Sequence, residues 1–97
     1  MFMTAEEITK HFKLGDAGDS STKDLMEYKL QDSKHSQSHD GKTSLYESIK
    51  SEGVKKPVEI ETSPYVDRPI LVNGHHRLAS AHNLNPKQFL PLTWDHW

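Results

Sequence analysis

The sequence predicts an α+β fold: a small mixed β-sheet with helices packed on it. Three observations carry this. The first half reads as short segments that open on Ser or Thr and carry apolar residues at helical spacing. The second half holds alternating or wholly apolar runs of strand length. One helical stretch interrupts those runs, so the order there is strand, strand, helix, strand.

Taken along the chain, Thr4 to Leu14 predicts a helix. Thr4 and Glu7 form a capping-box pair, Ile8, Phe12 and Leu14 lie near one face, and Gly15 is placed to end it. Ser21 or Thr22 opens a second short helix, Lys23 to Leu30, with Leu25, Met26 and Leu30 as its apolar set. Residues 31–42 are polar and predict a long loop. Thr43 or Ser44 caps a third helix over Leu45 to Glu52, stopped by Gly53. Pro57 to Glu61 alternates like a half-buried strand, and Ile70-Leu71-Val72 reads as a buried one. His75 to Asn83 predicts a helix with Leu78 and Ala79 inward. Phe89 to Trp94 predicts a last strand, with Pro91 putting it at a sheet edge. The expected core is Leu45, Ile49, Val58, Ile60, Ile70, Val72, Leu78, Ala81, Leu90 and Leu92.

The chain has 97 residues, which allows one domain: a helical and loop part over 1–42 and a motif-bearing core over 43–97. Its net charge of -2 supplies no global basic field for coating nucleic acid. It has no cysteine, which removes disulfides, thiolate zinc sites and cysteine catalysis. No apolar run approaches the roughly 20 residues needed to span a bilayer. The start moves at once into charged sequence, so a cytoplasmic protein is expected, without a membrane partner.

Chemistry concentrates in Asn73-Gly74-His75-His76-Arg77, where a strand gives way to a helix. A helix N-terminus offers unpaired amides and the positive end of the helix dipole, and anions bind there. Gly74 lets the backbone approach a ligand, Arg77 can grip phosphate oxygens, and His75 and His76 can donate hydrogen bonds. The turn therefore predicts a phosphate or nucleotide site. Adjacent histidines on a helix point about 100° apart and seldom share one ion. His35, His39, His82 and Asp67 lack zinc-site spacing, so no protein-bound zinc is expected. Magnesium carried by a nucleotide's phosphates is the metal such a site would meet.

Two stretches resemble the ParB/sulfiredoxin-like superfamily: Gly53-Val54-Lys55-Lys56-Pro57-Val58, and Ile70 through Ala81 around Gly74-His75-His76-Arg77. In that superfamily a helix ends in a G-V-x-x-P-V turn, and a strand then leads into G-x-x-R at a helix start. Partitioning ParB proteins have G-E-R-R there and sulfiredoxin has G-C-H-R. Free-serine kinases and small phage proteins have G-H-H-R or similar. The resemblance covers about residues 43 to 94. Met26 to Lys34 is also similar to a segment of small stand-alone ParB-like proteins of actinobacterial phages.

The resemblance implies that Gly74, His75, His76 and Arg77 contact a nucleotide's phosphates, with phosphotransfer or nuclease activity as the associated chemistry. His76 or His75 would be the hydrogen-bond donor or general acid, His76 first. A carboxylate from the first half would be the base or hold magnesium, Asp32 ahead of Glu27 and Asp40. Position 75 is not cysteine, so sulfinic-acid reduction is not expected. A chain ending at Trp97 is also not expected to bind centromeres or to hydrolyse CTP through the partitioning proteins' second nucleotide motif. Two further readings stand beside this one. The chain is a non-enzymatic, phage-type interaction protein that binds a host protein, or self-associates, through loop 31–42 and the aromatic tail Trp94-Asp95-His96-Trp97. Or it is a DNA-binding protein, which its charge and the lack of a recognition module disfavour.

Overall fold

The structure is a computed structural model, and it describes residues 1–17, 21–35, 43–62, 64 and 68–96. Among the described residues, four helices and five strands make a mixed α+β fold. The helices are α1 (Ala5–His11), α2 (Thr22–His35), α3 (Leu45–Glu52) and α4 (His75–Leu84). The strands are β1 (Phe2–Thr4), β2 (Lys13–Leu14), β3 (Val58–Thr62), β4 (Ile70–Asn73) and β5 (Phe89–His96). They form one sheet in the order β1-β5-β3-β4-β2. The β3–β4 pair and the β1–β5 pair are antiparallel, whereas β3–β5 and β2–β4 are parallel. The crossover that parallel β3 and β5 require is β4 followed by α4. Among the described residues no helix is long and apolar enough to cross a membrane.

Local signals set the helix ends. Thr4 accepts from the Glu7 amide while the Glu7 side chain accepts from the Thr4 amide, the reciprocal arrangement the pair predicts. Ser44 caps α3 by accepting from the Glu47 amide, and Gly53, at φ 77°, ends it. Helix α1 stops earlier than expected, at His11. Phe12 turns extended, and Lys13 and Leu14 pair with Ile70 and Leu71 as β2. Gly15 therefore does not end α1; it opens a single 3-10 turn, Gly15–Ala17.

The N-terminal part is not only helix and loop, as expected, because it supplies β1 and β2 to the sheet. The expected loop over 31–42 is also corrected at its start: residues 31–35 continue α2, and 36–42 lie outside the described residues. No glycine or proline interrupts 22–35, and Leu30 and Ser33 keep the buried face in phase. Pro91 does not mark an edge strand, since β5 runs between β1 and β3. Leu92 donates its amide to the Met1 carbonyl on the β1 side. Alternation then turns the Pro91 nitrogen toward β3, one residue before that pairing begins at Val58 and Leu92. The proline removes no ladder bond.

The core gathers Ile8, Leu25, Leu78 and Ala81 from the helices against Leu14, Val58, Ile60, Leu71, Leu90 and Leu92 from the sheet. Phe12 meets the Trp94 ring edge-on at 5.3 Å, which packs Trp94 against the core. Two strand positions are out of the expected phase. Leu71 points inward, while Ile70 is half-buried and Val72 is exposed. An unbroken apolar run of three does not reveal its own phase. Leu45 is half-buried because it lines the site rather than the core.

Candidate functional site

Strand β4 ends at Asn73 and α4 begins at His75. Gly74 is the N-cap between them, at φ 101° and ψ 19°. That left-handed conformation suits glycine and few other residues. Having no side chain, Gly74 places no oxygen over the first-turn amides. The other three helices each have one, from Thr4, Ser21 and Ser44. The first intrahelical bond of α4 runs from Leu78 N–H to Gly74 O at 2.9 Å, so the amides of residues 75–77 precede the ladder.

Arg77 stands on this turn. Its Nη2 donates to the Pro57 carbonyl at 3.1 Å, which ties α4 to the residues that lead into β3. Its Nε is buried with no hydrogen-bond partner among the described residues. Burial pulls the guanidinium's pKa below its usual value and Glu59 opposes that, and an arginine so placed stays charged. Asn73 donates its side-chain amide to Glu59, which fixes the strand end beside the arginine.

The two histidines part company. His76 faces Asp32 of α2, with Nε2 and Oδ2 2.6 Å apart across 44 residues of sequence. His75 turns inward and its side chain is 3% exposed. The Asp16 amide donates to His75 Nε2 at 3.2 Å, and Asp16 Oδ2 lies 3.2 Å from Nδ1 and 3.1 Å from Lys29 Nζ. His75 thus anchors the 3-10 turn to α4 through its side chain and can offer a ligand only its backbone. Its spacing carried that signal, for His75 is in helical phase with the buried Leu78 and Ala79.

Asp32, Leu45, Asn73, Gly74, His76 and Arg77 line one cavity of about 220 Å³. A neighbouring cavity of about 270 Å³ shares Leu45 and Arg77 and adds Lys55 and Lys56. A larger cavity, about 480 Å³, lies elsewhere, between α1, α2 and α4, and holds Glu27. We take the cavity of about 220 Å³ as the site, because it combines an uncapped helix start with an arginine. Of the three carboxylates weighed for chemistry, Asp32 reaches this cavity, Glu27 lines the other, and Asp40 lies outside the described residues. Of the remaining residues weighed as zinc ligands, His39 and Asp67 also lie outside them.

Sequence reasoning missed Ser33, which is fully buried on α2. Its hydroxyl donates to Lys29 O at 2.7 Å and lies 3.4 Å from His76 O, holding α2 against the start of α4. It also missed Asp16 and Glu59, whose relation to the turn exists only once the chain folds.

A pH dependence follows from His75. Burial, the largest influence, lowers its pKa below the usual histidine value, and Asp16 partly offsets this. As pH falls through the ordinary histidine range near 6.5, the unfolded chain takes up the proton before the folded chain does. Folding stability should therefore drop from about pH 6.5 down to the lower folded value and then level off. Asp16, held low first by its hydrogen bond to Lys29, acts in a separate, more acidic window. We expect the urea midpoint to fall between pH 7 and pH 5, and to fall less in His75→Asn. Equal slopes would show that His75 is not buried as the neutral ring.

Comparison with family models, with curated proteins and with solved structures gives no match to this chain.

Proposed function

We propose that this chain binds a phosphorylated ligand, a nucleotide first among them, at the Gly74–Arg77 turn. This is the site its resemblance to ParB/sulfiredoxin-like domains implies. The observation that supports it is Arg77, half-buried with an unpartnered Nε, beside a helix start whose cap carries no side chain. A phosphate there would accept from the first-turn amides and from Arg77 at once. Magnesium would enter with the phosphates. Among the described residues no group of three or more His, Asp or Glu side chains is placed to hold a metal.

The test is the melting temperature with ATP, CTP, GTP, UTP and their diphosphates, each with magnesium chloride, for wild type and Arg77→Ala. A ligand at about 100 times its Kd adds about 2.7 kcal/mol to stability. We expect a rise with at least one nucleotide, lost in Arg77→Ala. A flat response throughout would favour the interaction-protein reading, which one observation supports. Phe2 and Phe89 are 65% and 64% exposed and lie diagonally across β1 and β5, in register for one apolar patch.

A further inference from the structure

We propose that Asp32 and His76 form a proton-accepting pair that activates a water molecule against the terminal phosphorus of the ligand held at the Gly74–Arg77 turn. The inference rests on the phosphate reading above and goes beyond it, from binding to hydrolysis. Helix α2 presents Asp32 and the first turn of α4 presents His76, and both line the cavity that holds Gly74 and Arg77. A carboxylate 2.6 Å from Nε2 keeps the proton on that nitrogen, which leaves the lone pair on Nδ1.

A tie between helices does not account for the pair. Its side chains are 50% and 35% exposed, and so exposed a contact adds little to stability even when it is charged. The buried Ser33, next to Asp32 in sequence, already packs α2 against the start of α4, with its hydroxyl oxygen 3.4 Å from the His76 carbonyl oxygen. The backbone from which His76 projects is held in the first turn of α4, as a positioned base requires. Anion-holding and proton-accepting groups thus occupy one small cavity without sharing a side chain: Arg77 and the amides for charge, Asp32 and His76 for the proton.

The step balances as follows. The water oxygen forms a bond to the terminal phosphorus, and its proton passes to His76 Nδ1. The bond from phosphorus to the bridging oxygen breaks, and the electron pair stays on the leaving oxygen. The imidazolium, stabilised by the Asp32 carboxylate, then returns its proton to the leaving oxygen or to solvent. Arg77 and the first-turn amides meet the charge that builds on the phosphoryl oxygens. His76 is the catalytic residue, and Asp32 is a positioning residue that acts through it.

The test measures inorganic phosphate release from ATP, CTP, GTP and UTP with magnesium chloride, and melting temperature in the same samples. We expect release from whichever nucleotide raises the melting temperature. His76→Ala should lower kcat about 100-fold or more, the usual worth of a positioned base. Added imidazole should restore part of that rate, which a purely structural histidine would not allow. Asp32→Asn should lower kcat with KM nearly unchanged. A nucleotide that raises the melting temperature but releases no phosphate would overturn the inference and leave the binding reading standing. So would release that neither substitution slows. No shift and no release with any of the four would overturn both.

Discussion

Gly74→Ala is expected to cost about 3 kcal/mol of folding stability, a fall of about 12 °C or more in melting temperature for a domain of this size. Two separate causes add. A residue with a side chain at φ 101° meets the left-handed steric penalty of about 1–2 kcal/mol. The new Cβ would also stand 2.6 Å from Val58 Cγ1 and 2.9 Å from Val58 Cβ. Val58 is fully buried and β-branched, so it cannot rotate away without disturbing the core. Arg77 Nη2, 2.9 Å from the same point, is a flexible end and would yield, but only by leaving its place in the site. Gly53 shows a backbone cost without a clash. It has φ 77° and ψ -174°, a region nearly reserved for glycine, with nothing within 4 Å of a Cβ, so Gly53→Ala should show a backbone penalty alone, about 1–3 kcal/mol. Urea unfolding of both variants is the measurement. A Gly74→Ala loss of no more than about 1 kcal/mol, the low end of the left-handed penalty alone, would mean that Val58 does not press on the turn. Gly74→Ala protein that still folds should also lose its response to nucleotides.

The same turn explains why part of this site was readable in the sequence. Gly74, His76 and Arg77 are sequence neighbours, so a strand-to-helix switch is enough to bring them together. The caps at Thr4, Ser44 and Gly53 were readable for the same reason, each being a local backbone event. What escaped is what only folding brings together. Strands β1 and β2 have three residues and two, too few for alternation to show, and they exist because β5 and β4 offer them an edge. Asp32 was weighed because Ser33 and Lys29 stand near it. Its approach to His76 depends on α2 running on to His35, through residues whose polarity reads as loop. The polar face of that helix is its solvent side. Its sparse buried face, Leu25, Leu30 and Ser33, leaves little apolar signal to detect.

Leu71→Ala should cost about 3–4 kcal/mol, whereas Val72→Ala, one residue on, should cost under about 1 kcal/mol. The contrast tests the phase of β4, where the apolar run Ile70-Leu71-Val72 is silent. Leu71 pairs with Ile60 on one side and Leu14 on the other, so three side chains make one row across β3, β4 and β2 on the inner face. All three are at most 2% exposed, so truncating the middle one leaves a cavity that neighbours on both sides would have to collapse to fill. Val72 is 39% exposed and loses little by truncation. Urea midpoints at pH 7 give both values. A larger loss at Val72 would mean that β4 sits in the opposite phase. The site would have to move with it, because side chains alternate along β4 and the strand delivers the chain directly into Gly74. One residue of slip would turn Asn73 away from Glu59. It would also withdraw the Leu71 backbone from His75, whose ring fastens the Asp16 turn to α4. The direction in which Gly74, His76 and Arg77 open toward a ligand is therefore set by which way Leu71 points.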